Sequence, residues 1–488
     1  MNRVVAETRA GTRNVLDEIG QAARSIDVDA VVRAWTRVAP RLASFRRRLP
    51  VPPFVERGFE HSASEAWSEL ATQPLNRGPS QAMSAYVHLP FCDRRCAFCD
   101  CHTIRMRPER REPEERYFQA LMTELDLWSE VDPLAGRPLT TVHFGGGTPT
   151  YFAAERFECF LTSMRDQFMT TPATEWSVES TSSQINDDYL ERLWSWGITR
   201  LHIGMQSLDD PVRRVIGRLE SSTTVLKKID RALELGFIVS VDLIYGLPFQ
   251  SMASYLRDLE RTTKHGVHGV SLFQLNWTNR NAAFGRKYSQ QSRNSLREYL
   301  MFQIGELYLT NRGYRKNHFA HFAVSADRNL YTTHVVRGED LLALGMTADG
   351  IFGDYRYRHG TYREYLDDVS AGGVGLEGGL RETSMERTLR PASASLMSGR
   401  IAPETVREIG AEATSDRWLA EGMLREAPDG TLELTGNGSW FVNDMIGELA
   451  AELRRAEHCE GRVGVAASSG PVSARARDLQ ALPKRTPS

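Results

Sequence analysis

From Tyr86 to Leu275 the chain repeats one pattern: a short apolar or β-branched run, then a longer stretch with helical spacing. The runs are "YVHLP" (86–90), "TVHFGG" (141–146), "WSVES" (176–180), "RLHIGMQ" (200–206), "VSVDLIYG" (239–246) and "GVSLFQL" (269–275). Segments such as "EERYFQALMTELDLWSEV" and "TTVLKKIDRALELGF" lie between them. Strand then helix, repeated, implies parallel strands joined by right-handed crossovers. The expected fold is therefore α/β: a partial barrel of about six βα units, with its site at the C-terminal ends of the strands.

This barrel is expected over 81–290, after an N-terminal helical extension over 1–80 and before a mixed, barrel-completing segment over 291–384. Residues 385–456 read as a helical, winged-helix-like unit, in which "MLREAPDGTLELT" puts Pro-Asp-Gly at a hairpin turn. The small and polar stretch 457–488 reads as a disordered tail. A formal net charge of −2 argues against a global nucleic-acid or membrane footprint. With no run near the ~20 apolar residues of a membrane span and no signal-peptide core, the expectation is a cytoplasmic protein without nucleic-acid or membrane partners.

Four of the six cysteines fall between positions 92 and 101. In so long a chain that crowding suits metal binding or catalysis better than a disulfide framework. Cys92, Cys96 and Cys99 have the spacing C-x3-C-x2-C directly after the first strand, where a short loop can wrap soft thiolates around an iron–sulfur cluster. Three ligands leave one iron of a four-iron cluster open. Structural zinc is the alternative, but it would be closed by a fourth protein ligand, and no second ligand pair stands elsewhere. Cys101 falls outside the spacing; it is either a bystander thiol or a group placed to move a hydrogen atom or proton beside the cluster. Cys159 and Cys459 stand alone, the first in a helix pattern and the second in the tail.

With Phe98 before its last ligand cysteine, "YVHLPFCDRRCAFCDC" resembles the radical S-adenosylmethionine (SAM) superfamily, and within it the branch of oxygen-independent coproporphyrinogen dehydrogenase. "HFGGGTPTYF", "RLHIGMQSLDDPVRRVIGR", "VDLIYGLPFQ", "GYRKNHFAHFA" and "GEDLLALGMTADGIFGD" extend the resemblance over about 84–450. It implies a [4Fe–4S] cluster whose open iron chelates the methionine part of SAM, and one-electron cleavage to a 5′-deoxyadenosyl radical fed by a reductant such as flavodoxin or ferredoxin. It places Gly145, Gly146, Gly147 and Thr148 against the methionine part and Tyr86 near the sulfonium. Glu179 would hold a ribose hydroxyl, Gln206 and Arg218 the ribose and carboxylate ends, and Asp242 would complete the set. Taken alone, Arg218 reads equally as a solvated helix-end charge and Asp242 as a capping acid.

The branch also implies a second SAM, expected here around Ile244, Asn276, Leu330, Tyr331 and Asp349, with Cys101 and Tyr331 as candidate catalytic groups. Several positions depart from the branch. Leu330 and Tyr331 replace a Phe-Gln pair, Asn276 replaces a small residue, and Ala320 precedes His321 where Asp-His-Phe-Ala is expected. "ESTSSQ" lacks the usual acid followed by proline. The departures lead to the expectation of a class C radical SAM methyltransferase, using two SAM molecules to methylate or cyclopropanate an sp² carbon of a small natural-product substrate, with a methyltransferase-like protein as a further partner. Coproporphyrinogen or heme-directed radical chemistry is the first alternative. The other is a non-catalytic heme chaperone, for which His318, His321 and His334 are candidate ligands, although lone histidines are more often structural.

Overall fold

The computed structural model describes residues 57–72, 83–131, 134, 136–292 and 295–461, together with 33, 34, 37, 38 and 41. Most of the expected N-terminal extension and the tail beyond 461 lie outside the described residues. Six parallel strands follow the expected runs: β1 (Met83–Leu89), β2 (Leu139–Gly146), β3 (Glu175–Ser180), β4 (Arg200–Gln206), β5 (Ile238–Tyr245) and β6 (Gly269–Gln274). Helices connect successive strands, and their ends carry local signals. Ser251 and Ser254 form a capping box at the start of Met252–Lys264, and Ser222–Leu235 stops at Gly236, whose φ of 100° suits glycine.

Alternation along the strands separates two environments. Val87, Val142, Phe144, Val178, Leu201, Ile203, Val239, Val241, Val270 and Leu272 are buried in one continuous core. The opposite face carries Tyr86, His143, Glu179, His202, Asp242 and Ser271, and it curves around a polar interior. The fold is thus the expected mixed α/β, partly barrel-like architecture.

The segment after the sixth strand extends the sheet at both edges. The helix Ser295–Asn311 leads to β7 (Arg315–His318) and β8 (His321–Ala323), an antiparallel pair added beyond β6. The chain then crosses through the helix Leu330–Arg337 to β9 (Leu341–Leu344), which pairs parallel with β1. β10 (Asp349–Phe352), β11 (Tyr355–His359) and β12 (Leu376–Arg381) continue as an antiparallel meander. Among the described residues the sheet has twelve strands in the order β12-β11-β10-β9-β1-β2-β3-β4-β5-β6-β8-β7.

The C-terminal unit packs helices Ser384–Met397, Pro403–Glu408 and Glu412–Ala420 with a three-stranded sheet of β13 (Arg400–Ile401), β14 (Leu424–Glu426) and β15 (Leu432–Leu434). Gly430, φ 80°, lies in the turn between β14 and β15. The last helix, Gly436–Gly461, overruns the expected tail boundary at 457 and carries the backbone of Cys459. Arg41 pairs with Glu448 of that helix at 2.8 Å. No helix among the described residues is long and apolar enough to cross a membrane.

Candidate active site

Cys92 closes the short strand Phe91–Cys92, which pairs with Ile104–Arg105 and so pins both ends of the cysteine loop. Met106 N donates to Cys92 O at 2.9 Å, and Cys99 N donates to Cys96 O at 3.2 Å. Phe98 packs against an apolar cluster containing Ile216, Ile244, Leu247, Leu275 and Phe284. Asn281 Nδ2 donates to Phe98 O and to Asn276 O, both at 2.8 Å, tying the loop to the chain after β6. Arg280 Nη1 donates to Asp100 O at 2.8 Å. The loop is therefore held by distant segments as well as by its own turns.

Cys92, Cys96, Cys99 and Cys101 all line one cavity of about 610 Å³ inside the barrel. Burial pushes the Cys92 thiol up to about 12, and Thr148 Oγ1 stands 3.4 Å from its sulfur. Burial also raises Cys96. Cys99 is held down to about 6, chiefly by its hydrogen bond with exposed Cys101. Two of the three expected ligands are thus neutral thiols that a metal must deprotonate on binding.

Across the cavity, polar side chains from several strands are linked. His143 Nε2 donates to Glu179 Oε1 at 3.2 Å, Gly146 N donates to Glu179 Oε2 at 3.2 Å, and Ser177 Oγ lies 2.6 Å from His143 Nδ1. Enclosure raises the Glu179 carboxyl, but the hydrogen bonds from His143 and Gly146 and the nearby His143 and His202 imidazoles override it and hold the group down to about 2. Burial lowers His143, so at neutral pH it donates as a neutral imidazole to an ionised Glu179. His202 Nε2 reaches Asp242 Oδ1 at 2.6 Å and its Nδ1 reaches Ser240 Oγ at 2.7 Å; burial lowers His202, yet Asp242 outweighs it and raises the group. Below these, Arg200 Nε and His321 Nε2 each donate to buried Asp327 at 2.8 Å.

Gln206 and Arg218 meet the test for a bound group most directly. Both line the cavity, and among the described residues buried Gln206 Oε1 and Arg218 Nε have no hydrogen-bond partner. Gln206 has φ 70° at a register shift in β4, a strained conformation that turns it off the strand. A Cβ on Gly204 would lie 2.8 Å from Gln206 Nε2 and 3.4 Å from Arg218 Nη2, so that glycine makes room for both. An acceptor oxygen and a guanidinium donor left open beside three thiols fit SAM, with its amino, hydroxyl and carboxylate groups.

Gly146, Gly147, Thr148 and Asp242 also line the cavity, as expected, and so does Phe98. The glycines have a second reason to be glycine. A Cβ on Gly147 would stand 2.5 Å from Pro90 O, and one on Gly146 would meet the His88 ring at 2.7 Å. Gly145 does not line the cavity; its Cβ would meet Tyr86 at 2.9 Å. Tyr86 is likewise covered, stacked on Tyr331 at 5.4 Å, which in turn stacks on His143 at 4.3 Å.

Of the five residues expected around a second SAM, Tyr331 alone lines this cavity. Ile244 is taken by the apolar cluster under Phe98, and Asn276 by the loop contact with Asn281. Leu330 is buried, with its N–H on Glu175 Oε1 at 3.1 Å. Asp349 pairs with Arg358 at 2.6 Å on the outside. Substitutions at Asn276 and Leu330 therefore do not report a rebuilt cavity. The histidines His143 and His202 and the Arg200–Asp327 pair were not singled out by the sequence reading, although polar residues at every second position of β2 to β5 carry that signal.

The radical SAM superfamily model matches residues 86–261, which implies a [4Fe–4S] cluster and SAM. The oxygen-independent coproporphyrinogen III oxidase of Salmonella typhimurium is 30% identical over 379 residues, 74% of this chain and 79% of that protein. Anaerobilin synthase of Escherichia coli is 25% identical over 421 residues, 83% of this chain and 90% of the relative. The structure of Escherichia coli coproporphyrinogen III oxidase superposes with a TM-score of 0.72 at 23% identity, covering 84% of this chain and 98% of that one. These matches correct the expectation of a class C methyltransferase acting in methylation or cyclopropanation of a natural product, and with it the enzyme type expected. This chain belongs to the oxygen-independent coproporphyrinogen III oxidase family within the radical SAM superfamily.

Proposed function

We propose that the protein is a radical SAM enzyme that acts on a tetrapyrrole, in the manner of the coproporphyrinogen III oxidases it resembles. The observation that carries this reading is the wall of the thiol cavity. Leu219, Phe273, Phe319 and Val335 supply apolar surface, and Arg94, Arg95 and Arg218 supply cations on the side of the cysteine loop. Apolar walls with a few placed charges suit a large ring bearing carboxylate side chains. Cys92, Cys96 and Cys99 would hold the cluster, and Gln206, Arg218, Glu179 and Asp242 would orient SAM beside it. When bound, cluster and SAM supply the one-electron chemistry that removes a hydrogen atom from substrate. The protein's part is to fix geometry and exclude water, with His143 and Ser177 holding Glu179 and with His202 holding Asp242. A flavodoxin- or ferredoxin-like protein is the proposed electron donor. The two-SAM reading rests on the breadth of the cavity, which continues past Tyr331 to Phe319 and Val335.

The test is anaerobic incubation of reconstituted protein with SAM, reductant and coproporphyrinogen III. Loss of carbon dioxide from substrate, with 5′-deoxyadenosine and no S-adenosylhomocysteine, is expected. Intact porphyrinogen after SAM turnover would overturn the reading. Equilibrium dialysis gives the number of SAM molecules per chain.

A heme-directed reaction is the second reading, favoured by His318. This residue lines the cavity, burial holds it neutral, and Asn329 Nδ2 stands 2.8 Å from its Nε2. A neutral, anchored imidazole is a heme-iron ligand type, and anaerobilin synthase is among the relatives. A parallel incubation with heme separates the two: only the heme-directed enzyme consumes it.

A further inference from the structure

The helix Leu330–Arg337 is a wall between two cavities. Tyr331, Thr332, Val335 and Val336 face the thiol cavity, whereas Leu330, Thr333, His334 and Arg337 line a second one of about 710 Å³. That division follows the 3.6-residue helical period. The facing wall comes from β7 and the segment after β8, with Arg315 and Asn317 two residues apart on one side of their strand and Arg328 opposite. None of the four loop cysteines, and none of Glu179, Gln206, Arg218 and Asp242, lines the second cavity.

Its charge is unbalanced. Asp327 touches the cavity but is already paired with Arg200 and His321. Arg337 has Glu339 at 3.7 Å. Arg315 and Arg328 make no ion pair or side-chain hydrogen bond among the described residues, and both are exposed. Burial keeps His334 from protonating, and Arg337 and Arg328 add to that against the pull of Glu339. Asn317 gives an independent sign of a missing ligand: its Nδ2 and Oδ1 are both buried and both lack a partner. Buried amide groups are nearly always hydrogen-bonded, so an open donor and acceptor beside two unpaired guanidinium groups mark a place where a ligand completes the bonding.

We propose that this second cavity binds a small polyvalent oxyanion, a phosphate- or carboxylate-bearing metabolite, clamped by Arg315 and Arg328 and oriented by the Asn317 amide. Guanidinium forks match the paired oxygens of either group. The volume lies within the ~300–1,000 Å³ of small-molecule pockets, so the site accepts more than a bare ion. This inference does not depend on the tetrapyrrole reading, because it uses a different cavity.

The test is calorimetric titration of the full-length, iron-reconstituted protein with inorganic phosphate and, separately, with citrate, each at an ionic strength fixed with chloride. Saturable binding of at least one probe is expected, and the arm that binds more tightly distinguishes phosphate from carboxylate ligands. Replacing both arginines (Arg315→Ala with Arg328→Ala) should weaken that binding at least about tenfold. The milder Arg315→Gln and Asn317→Ala should each weaken it several-fold, while SAM binding in the other cavity stays unchanged. Absence of saturable binding by either probe, or wild-type affinity in the folded double variant, would overturn the proposal.

Discussion

Cys92, Cys96 and Cys99 come to the cavity from one short loop, whereas His143, Glu179, His202, Asp242 and His321 come to it from separate elements across nearly two hundred residues of sequence. The loop is seated on apolar contacts under Phe98, and its thiols have few polar partners of their own. The floor is the reverse: nearly every polar group there is bonded to another, as in the run from Ser240 through Arg200 and Asp327 to His321 and Ser271. The difference teaches where tolerance lies. The loop offers thiols that few protein groups engage; the floor is a pre-set network whose members depend on one another.

The largest effect should fall on the loop. Cys92→Ala, Cys96→Ala and Cys99→Ala are each expected to abolish iron binding and SAM cleavage, while Cys101→Ala retains about four irons per chain. Iron analysis after anaerobic reconstitution decides it, and equal loss in the Cys101 variant would end the three-ligand assignment. On the floor, Asp327→Ala strands a fully buried Arg200 and should cost about 3–5 kcal/mol in urea unfolding. A cost below about 1 kcal/mol would show the floor to be far less interdependent than its bonding suggests.

Acid should sharpen the contrast next. His88 donates from Nε2 to His102 O at 3.1 Å and accepts from Tyr86 Oη at 3.0 Å, a neutral arrangement, and burial pushes it down to about 4 from an ordinary 6.5. A depressed histidine is less protonated folded than unfolded, so its contribution is complete above pH 6.5 and is lost as pH falls towards 4. Roughly 3 kcal/mol should disappear across that window. His88→Gln should flatten that part of the stability–pH curve; an unchanged slope would assign the loss to other groups.

Smaller changes probe the SAM site itself. Arg218→Ala should weaken SAM binding about ten- to a hundredfold with iron retained, because one charge-assisted hydrogen bond is worth about 1.5–3 kcal/mol. Unaltered affinity in equilibrium dialysis would remove Arg218 from the site. Smallest of all, Tyr331→Leu keeps apolar bulk but loses the stack on His143, for an expected cost of about 0.5–1.5 kcal/mol in unfolding.

The six βα units and the thiol loop were legible because both are local: strand and helix periods declare themselves within ten or twenty residues, and the three cysteines stand within eight. Glu179, Gln206, Arg218 and Asp242 were reachable through the resemblance, and all four reach one cavity. The second SAM set was not. Ile244 is claimed by packing under Phe98 and Asp349 by Arg358, claims that no local pattern displays. The same limit led the reading from Asn276 and Leu330 to methyl transfer, since a substitution says nothing about a pocket its side chain does not line.

By itself, then, the sequence determined the repeating α/β order, the outward apolar face of each strand and the cluster loop, all consequences of short-range spacing. Only the tertiary structure decided which polar residues meet. The helix Leu330–Arg337, placed by the return of the chain from β8 to β9, puts Tyr331 against His143 and Tyr86 and turns Arg337 and His334 to the opposite cavity. Pairings such as Arg200 with Asp327 close across more than a hundred residues, and their energy comes from mutual burial, which exists only once the sheet has curved around them.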